Sequence, residues 1–183
     1  MRIRPAVTED VEAIARFHVE SWRHAYRDLA PADVFEIMTV DRRHELWSRL
    51  LGHDATGSHH IVAELDGTLV GIGGAGGATH PAYGGRGRIS LLYIAPDRQR
   101  QGIGRRLMHE LTVWLQCAGH TSAALSVVDG NASAIAFYDK LGGRRVGTYK
   151  DPGPVWKSTN LVYAWDDIAA LIQATGPIKP DAC

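Results

Sequence analysis

Residues 94–107 read Ile-Ala-Pro-Asp-Arg-Gln-Arg-Gln-Gly-Ile-Gly-Arg-Arg-Leu, so an apolar run gives way to a basic, glycine-containing turn and then to a helical pattern. A turn of this kind between a strand and a helix binds phosphate. The first N–H groups of the helix have no intrahelical partner, and the macrodipole adds partial positive charge. Gly102 and Gly104 let the backbone approach an anion with no Cβ in the way. Arg98, Arg100, Arg105 and Arg106 add full charges. Taken alone, these residues also fit a βα loop with a solvated basic face.

A second chemically able group lies about 30 residues on, where Asn131 opens a helical pattern that carries Tyr138. The asparagine has the side chain of an N-cap, and the phenol is either a proton donor or an amphipathic packing residue. Other patterns fail. Gly71, Gly73 and Gly76 fit GxGxxG with Asp97 at the distance of a ribose-binding acid, but Pro81, Gly84, Gly85 and Gly87 follow where that fingerprint needs a helix. No GK followed by Ser or Thr is present. Adjacent His59 and His60 without a helical HExxH make a poor zinc site, and no metal is expected.

The elements that must hold these groups follow from periodicity. Residues 2–6 read as a strand, and Thr8 stands where an N-cap belongs. Val11, Ile14, Ala15, His18, Val19 and Trp22 then form one helical face running to about Tyr26. Pro31 opens a second helix, and Thr39 caps a third carrying Leu46, Trp47, Leu50 and Leu51. After Gly52 the period becomes two: residues 61–65 and 68–73 flank Asp66-Gly67, a type I′ hairpin signal. Residues 89–94 read as a strand buried on both faces, 102–118 as a helix, 122–128 as a strand, and 131 onward as a helix stopped by Gly142 or Gly143. Residues 144–149 and 159–164 close the sheet, 166–174 form a last helix, and Cys117 falls among core positions. One domain over 1–175 and a tail over 176–183 are expected.

Composition narrows the classes. A chain of 183 residues, 45% hydrophobic and 22% charged, is that of an ordinary globular domain. Twenty basic and twenty acidic side chains cancel, which leaves no global electrostatic case for nucleic acid or an anionic membrane. No apolar run nears the roughly 20 residues of a membrane span, and two cysteines make no disulfide framework, so a cytoplasmic location is expected.

Gln99, Gly102 and Gly104 meet the pattern QxxGxG, and the segment from Leu125 through Asn131, Ala134, Phe137, Tyr138 and Lys140 to Gly142 is similar to NxxAxxFYxKxGF. Together they resemble the acetyl-CoA signature and the following element of the GNAT N-acetyltransferases. The resemblance covers most of the chain. It implies an α/β (α+β) fold with a central mixed, mostly antiparallel twisted sheet of about seven strands, splayed in the middle and flanked by helices. It also implies an enzyme that moves the acetyl group of acetyl-CoA directly to an amine of a small molecule or protein through a tetrahedral intermediate. By that resemblance, Gln99, Arg100, Gln101, Gly102, Ile103, Gly104 and Arg105 hold the pyrophosphate, and Asn131 meets the pantetheine. A backbone N–H among Leu92, Tyr93 and Ile94 steadies the oxyanion, and Tyr138 protonates the departing thiolate.

The acceptor region of such proteins points to Trp22, Tyr26 and His80, with His18, His24 and Tyr83 nearby; Trp22 serves equally as a core residue. Homodimers are common in proteins like this one, and an edge after Thr159 is available for pairing. Two departures stand out. Gly143 replaces the aromatic that usually follows the second motif, and Arg88 stands where many members carry a glutamate base. Arg88 keeps open a coenzyme A-binding regulatory module of the same fold.

Overall fold

The computed structural model describes residues 1–52, 57–78, 80–153 and 156–176. Seven strands form one sheet in the order β1-β2-β3-β4-β5-β7-β6: β1 (Arg2–Pro5), β2 (Ser58–Leu65), β3 (Thr68–Gly76), β4 (Gly87–Ile94), β5 (Ala123–Val128), β6 (Arg144–Lys150) and β7 (Thr159–Trp165). Every neighbouring pair is antiparallel except β4 and β5, which run parallel. The expected mixed, mostly antiparallel sheet is therefore present. Asp66 (φ 50°) and Gly67 (φ 78°) both take positive φ at the β2–β3 turn, as a type I′ hairpin requires.

Among the described residues six α-helices flank the sheet: α1 (Val11–Tyr26), α2 (Ala32–Ile37), α3 (Val40–Leu50), α4 (Ile103–Cys117), α5 (Ala132–Lys140) and α6 (Ile168–Thr175). α1 buries the stripe read from the sequence, with Phe17 added. Its entry differs from expectation. Thr8 opens a short 3-10 turn, and it is the Asp10 carboxylate that accepts from the Val7 N–H at 2.9 Å, because Arg4 at 2.6 Å draws that carboxylate back over the turn. Hydrogen bonding to Arg4 holds Asp10 below the usual carboxylate range. Thr39 caps α3 as expected, accepting from the Arg42 N–H at 3.4 Å.

α1 and α3 cover one face of the sheet, where Ile14, Trp47, Val62 and Ile72 pack. α4, α5 and α6 belong to the other, where Leu107, Leu111, Leu125, Tyr138 and Leu171 form the larger core. The glycines of β3 are packing devices. A Cβ on Gly71 would lie 2.9 Å from Leu107 Cδ1, and one on Gly73 would lie 2.9 Å from Leu111 Cδ1, so their absence seats α4 directly on the sheet. That disposes of the dinucleotide fingerprint, whose glycines lie within a strand.

Three expectations are corrected. Cys117, placed in the core by its helical position, is exposed because it ends α4 as the helix leaves the sheet. β7 offers no edge after Thr159, since β5 and β6 bracket it; β1 and β6 are the outer strands. β4 is not buried on both faces: residues 91–94 are half-buried and Ser90 is exposed. Most of the expected tail, together with Cys183, lies outside the described residues. Among the described residues no helix is long and apolar enough to cross a membrane.

Candidate coenzyme and acceptor site

β4 and β5 pair only at Gly87–Ala123 and Arg88–Ala124, and then separate. A register shift against β3 leaves Ser90 as an extra residue in β4, and such a bulge bends and twists its strand at the point where the separation begins. The Ala95 N–H donates to the Val70 carbonyl at 3.0 Å, so by the alternation of an antiparallel ladder the backbone groups of Tyr93 and Leu91 also face β3. Those of Leu92 and Ile94 face the gap. The three residues expected to act alike thus divide: Leu92 and Ile94 can donate into the gap, whereas Tyr93 contributes its side chain on the α1 face.

Immediately after β4 a 3-10 turn, Pro96–Arg98, leads into the glycine-containing segment. Arg100 has φ 58° and Gly102 has φ 83°, two left-handed residues in one short turn. A non-glycine residue held there costs on the order of 1–3 kcal/mol, and alternating backbone handedness of this kind turns successive N–H groups into an anion-binding concavity. α4 begins at Ile103, and the Arg106 N–H donates to the Gly102 carbonyl at 3.1 Å, so the N–H groups of Ile103, Gly104 and Arg105 precede the first helical bond.

Gln99, Arg100, Gln101 and Gly102 are exposed, while the Ile103 side chain is buried and anchors the helix. Arg98 pairs with Asp97 at 3.2 Å, and Gln101 Nε2 donates to the Asp97 carbonyl at 3.3 Å. A Cβ on Gly104 would meet Phe137 Cζ at 3.6 Å and Ile94 Cγ1 at 3.7 Å, ordinary contacts, so the chain's own packing does not require that glycine.

α5 brings the second group to the other side of the gap. Asn131 Oδ1 accepts from the Ala134 N–H at 3.2 Å, the plain N-cap, while the Asn131 side chain also reaches the hydroxyl of Tyr26 on α1. The Tyr26 hydroxyl contacts Tyr93 as well. Tyr138 is buried, with its ring against Tyr163 at 5.9 Å and Trp165 at 6.2 Å, so it is a packing residue as well as a candidate acid. Burial, and then the nearby Tyr26, push the Tyr138 phenol well above its ordinary value and keep it protonated. Trp165 also explains Gly143. A Cβ there would stand 2.7 Å from Trp165 Cζ2, and Trp165 Nε1 donates to the Leu141 carbonyl at 2.8 Å, so a ring from β7 fills the space of the missing aromatic.

The other sequence candidates separate. Trp22 is buried and packs with Tyr26 (4.9 Å) and Phe35 (5.5 Å). His18 lies in the core, accepting from Trp47 Nε1 at 3.1 Å through Nδ1 and lying 4.9 Å from the Tyr93 ring; burial pushes it down to about 3. It is no base at neutral pH. His24 is exposed. His80 Nδ1 accepts from the Ala82 N–H at 3.1 Å, and its ring stacks on Tyr149 at 4.5 Å, so the lone pair needed for base catalysis is already engaged. His59 stacks on Trp114 and His60 meets Trp47 edge-on, which accounts for that pair as packing.

Sequence reasoning missed a hydroxyl cluster. Tyr83 and Tyr149 lie 3.1 Å apart, and both bond Ser126 Oγ, at 3.0 and 3.2 Å. Ser126 shares its face of β5 with Ala124, two residues past the last β4–β5 pair, and Arg88 lies 5.4 Å over the Tyr83 ring. The place of the glutamate thus holds a cation among hydroxyls. No spacing signal joins Tyr83, Ser126 and Tyr149, because three separate elements supply them.

Residues 12–143, from α1 to the turn after α5, match the family model described as the acetyltransferase (GNAT) family. The chain belongs to that family. It is 29% identical over 172 residues to the uncharacterized N-acetyltransferase YuaI of Bacillus subtilis (strain 168), covering 92% of this chain and 95% of that one. It is 30% identical over 155 residues to the phosphinothricin N-acetyltransferase of Alcaligenes faecalis, covering 81% and 69%. Among solved structures it is similar to the PaiA N-acetyltransferase of Thermoplasma acidophilum in complex with coenzyme A, with a TM-score of 0.68 and 19% identity over 90% of this chain and 98% of that one. Membership makes this GNAT chain an acyl-CoA dependent acetyltransferase.

Proposed function

We propose that the chain passes the acetyl group of acetyl-CoA directly to an amine, with the pyrophosphate held by residues 99–105, the thioester in the β4–β5 gap, and Tyr138 as the acid. The observation that carries this reading is the left-handed pair Arg100 and Gly102 just before α4, directly after the strand that parts from β5. Strain held in an exposed turn fits an anion-binding role. The coenzyme A complex of the PaiA relative supports the same donor.

Each group then has a task. The N–H groups of Leu92 and Ile94 meet the negative charge that develops on the thioester oxygen, the arrangement that contributes most to acyl transfer when donors are fixed in advance. Asn131 braces the start of α5 and positions Tyr26. Tyr138 stays protonated because burial raises it, so its proton is on hand when the thiolate departs.

The acceptor arrives on the α1 face, beside Tyr26, Trp22 and the hydroxyl cluster. A primary amine of pKa near 10 is neutral in about one molecule per thousand at pH 7. Burial beside Arg88 disfavours an ammonium there, so the acceptor enters as the free amine, its first proton already lost to water. The N–H proton released as the tetrahedral intermediate collapses also passes to water, and solvent returns a proton to Tyr138 after the thiolate has taken its own. This reading assigns the glutamate's duty to no side chain. Relatives whose names specify a substrate include one acting on phosphinothricin and one acting on ribosomal protein bS18, so both small and protein acceptors are within reach of the family.

The test is direct: acetyl-CoA is offered with a panel of primary amines, and free thiol and amide product are both measured. Equal amounts of thiol and amide support the reading. Tight coenzyme A binding with neither product across the panel refutes it and favours a binding module.

A further inference from the structure

Beside the gap, four aromatic rings from three parts of the chain gather. Trp22 and Tyr26 come from α1, Phe35 from α2, and Trp156 from the connection between β6 and β7. Trp22 meets Phe35 at 5.5 Å and 66°, Trp156 meets Trp22 at 6.3 Å and 85°, and Trp156 meets Tyr26 at 5.7 Å and 71°. Trp22 is buried and forms the floor. Tyr26, Phe35 and Trp156 are half-buried and turn their remaining surface outward.

Tyr26 belongs to both places, since its ring is in this wall and packs in one cluster with Tyr93 of β4, the strand that borders the gap. The wall is therefore continuous with the site of transfer. Its polar neighbour is spent: Arg23 Nη2 donates to the carbonyls of Phe35 at 2.6 Å and Met38 at 3.2 Å, which fixes α2 against α1 and leaves the wall apolar. The four rings carry no formal charge, so they offer an acidic peptide nothing and a polycation only cation–π attraction, without ion pairing. Edge-to-face rings do present further edges and faces to another ring.

We propose that Tyr26, Phe35 and Trp156 select the acceptor, and that it is a primary amine carried on an aromatic or bulky aliphatic body. The proposal rests on the acetyl-transfer reading and deepens it. The amine lies at the gap end, by Tyr26, and the apolar body lies along Trp156 and Phe35. Binding such a body removes apolar surface of both partners from water, whereas a short alkylamine reaches little of the wall.

The test uses the full chain loaded with coenzyme A for binding, or with acetyl-CoA for turnover, and compares 2-phenylethylamine, ethylamine and spermidine. The expected result is that 2-phenylethylamine binds preferentially and exceeds ethylamine in kcat/KM by about 30-fold or more, within the range that a few methylene-sized contacts allow. Trp156→Ala is expected to cut that ratio about tenfold, mostly through KM, and Trp156→Phe to restore most of it. Coenzyme A affinity reports that each variant is folded, and Phe35→Leu reads the same ratio if Trp156→Ala does not fold. Equal use of ethylamine or spermidine, or a ratio untouched in a folded Trp156→Ala chain, overturns the proposal. Preferential binding of 2-phenylethylamine without acetylation supports the wall and overturns the transfer reading instead.

Discussion

Tyr26 on α1 and Tyr138 on α5 belong to clusters on opposite faces of the sheet, yet lie close enough that charge on Tyr26 opposes ionisation of Tyr138. Tyr26 also braces Tyr93 and Asn131, so one phenol links the acceptor side to the start of α5. Tyr26→Phe removes that link and leaves two half-buried polar side chains with one partner fewer. A loss of about 1 kcal/mol in urea-unfolding stability is expected, together with weaker acceptor binding. Unchanged stability and KM would show that Tyr26 is only a wall residue.

Gly102 and Gly104 are expected to respond in opposite ways. Gly102 has φ 83°, so Gly102→Ala forces an alanine into a left-handed conformation and costs about 1 kcal/mol. Gly104→Ala meets no steric obstacle within the chain and gains roughly 0.5–1 kcal/mol of helix preference. Coenzyme A affinity should nevertheless fall in the more stable variant if the proposed pyrophosphate site is right, because the new methyl group would stand in it. Denaturant melts and calorimetric titration with coenzyme A check both halves.

The absence of an assigned base makes its own prediction. If the free amine is the species that binds, log kcat/KM rises with unit slope up to the acceptor's own pKa, and an acceptor of lower pKa moves the limb down by the same amount. A plateau at one pH for every acceptor would instead report an ionising group on the protein.

Two buried histidines set the response to acid. Burial pushes His18 down to about 3 and His60 down to about 4. Both are neutral when folded and take up a proton on unfolding below about pH 6.5, so stability is lost as the pH falls through the window below that value. Each contributes up to roughly 1.4 kcal/mol per pH unit until its folded pKa is reached. Urea midpoints from pH 7 to 5 read the slope, and His18→Gln, which keeps an acceptor for Trp47, should remove its share. A flat profile would contradict the burial of both rings.

Local features were legible in the sequence because local chemistry dictates them. Asp66-Gly67 takes the positive φ angles that its turn needs, Thr39 and Asn131 cap their helices, and residues 99–102 form the turn before α4. What escaped depends on contacts distant in the chain. Arg100 carries no sign of its left-handed backbone. The glycines of β3 share the spacing of a nucleotide fingerprint but serve to seat Leu107 and Leu111, and the aromatic absent at Gly143 is supplied by Trp165. Trp156 and Phe35 became neighbours of Trp22 only in the folded chain.

The most direct test of the account is turnover by Tyr138→Phe, measured beside coenzyme A affinity with the best acceptor of the amine panel. The hydroxyl is removed while the ring keeps its packing against Tyr163 and Trp165. The account predicts unchanged coenzyme binding and a kcat lower by about 10²–10⁴-fold, the usual worth of a positioned acid. Wild-type turnover in that variant, with coenzyme binding intact, would contradict it.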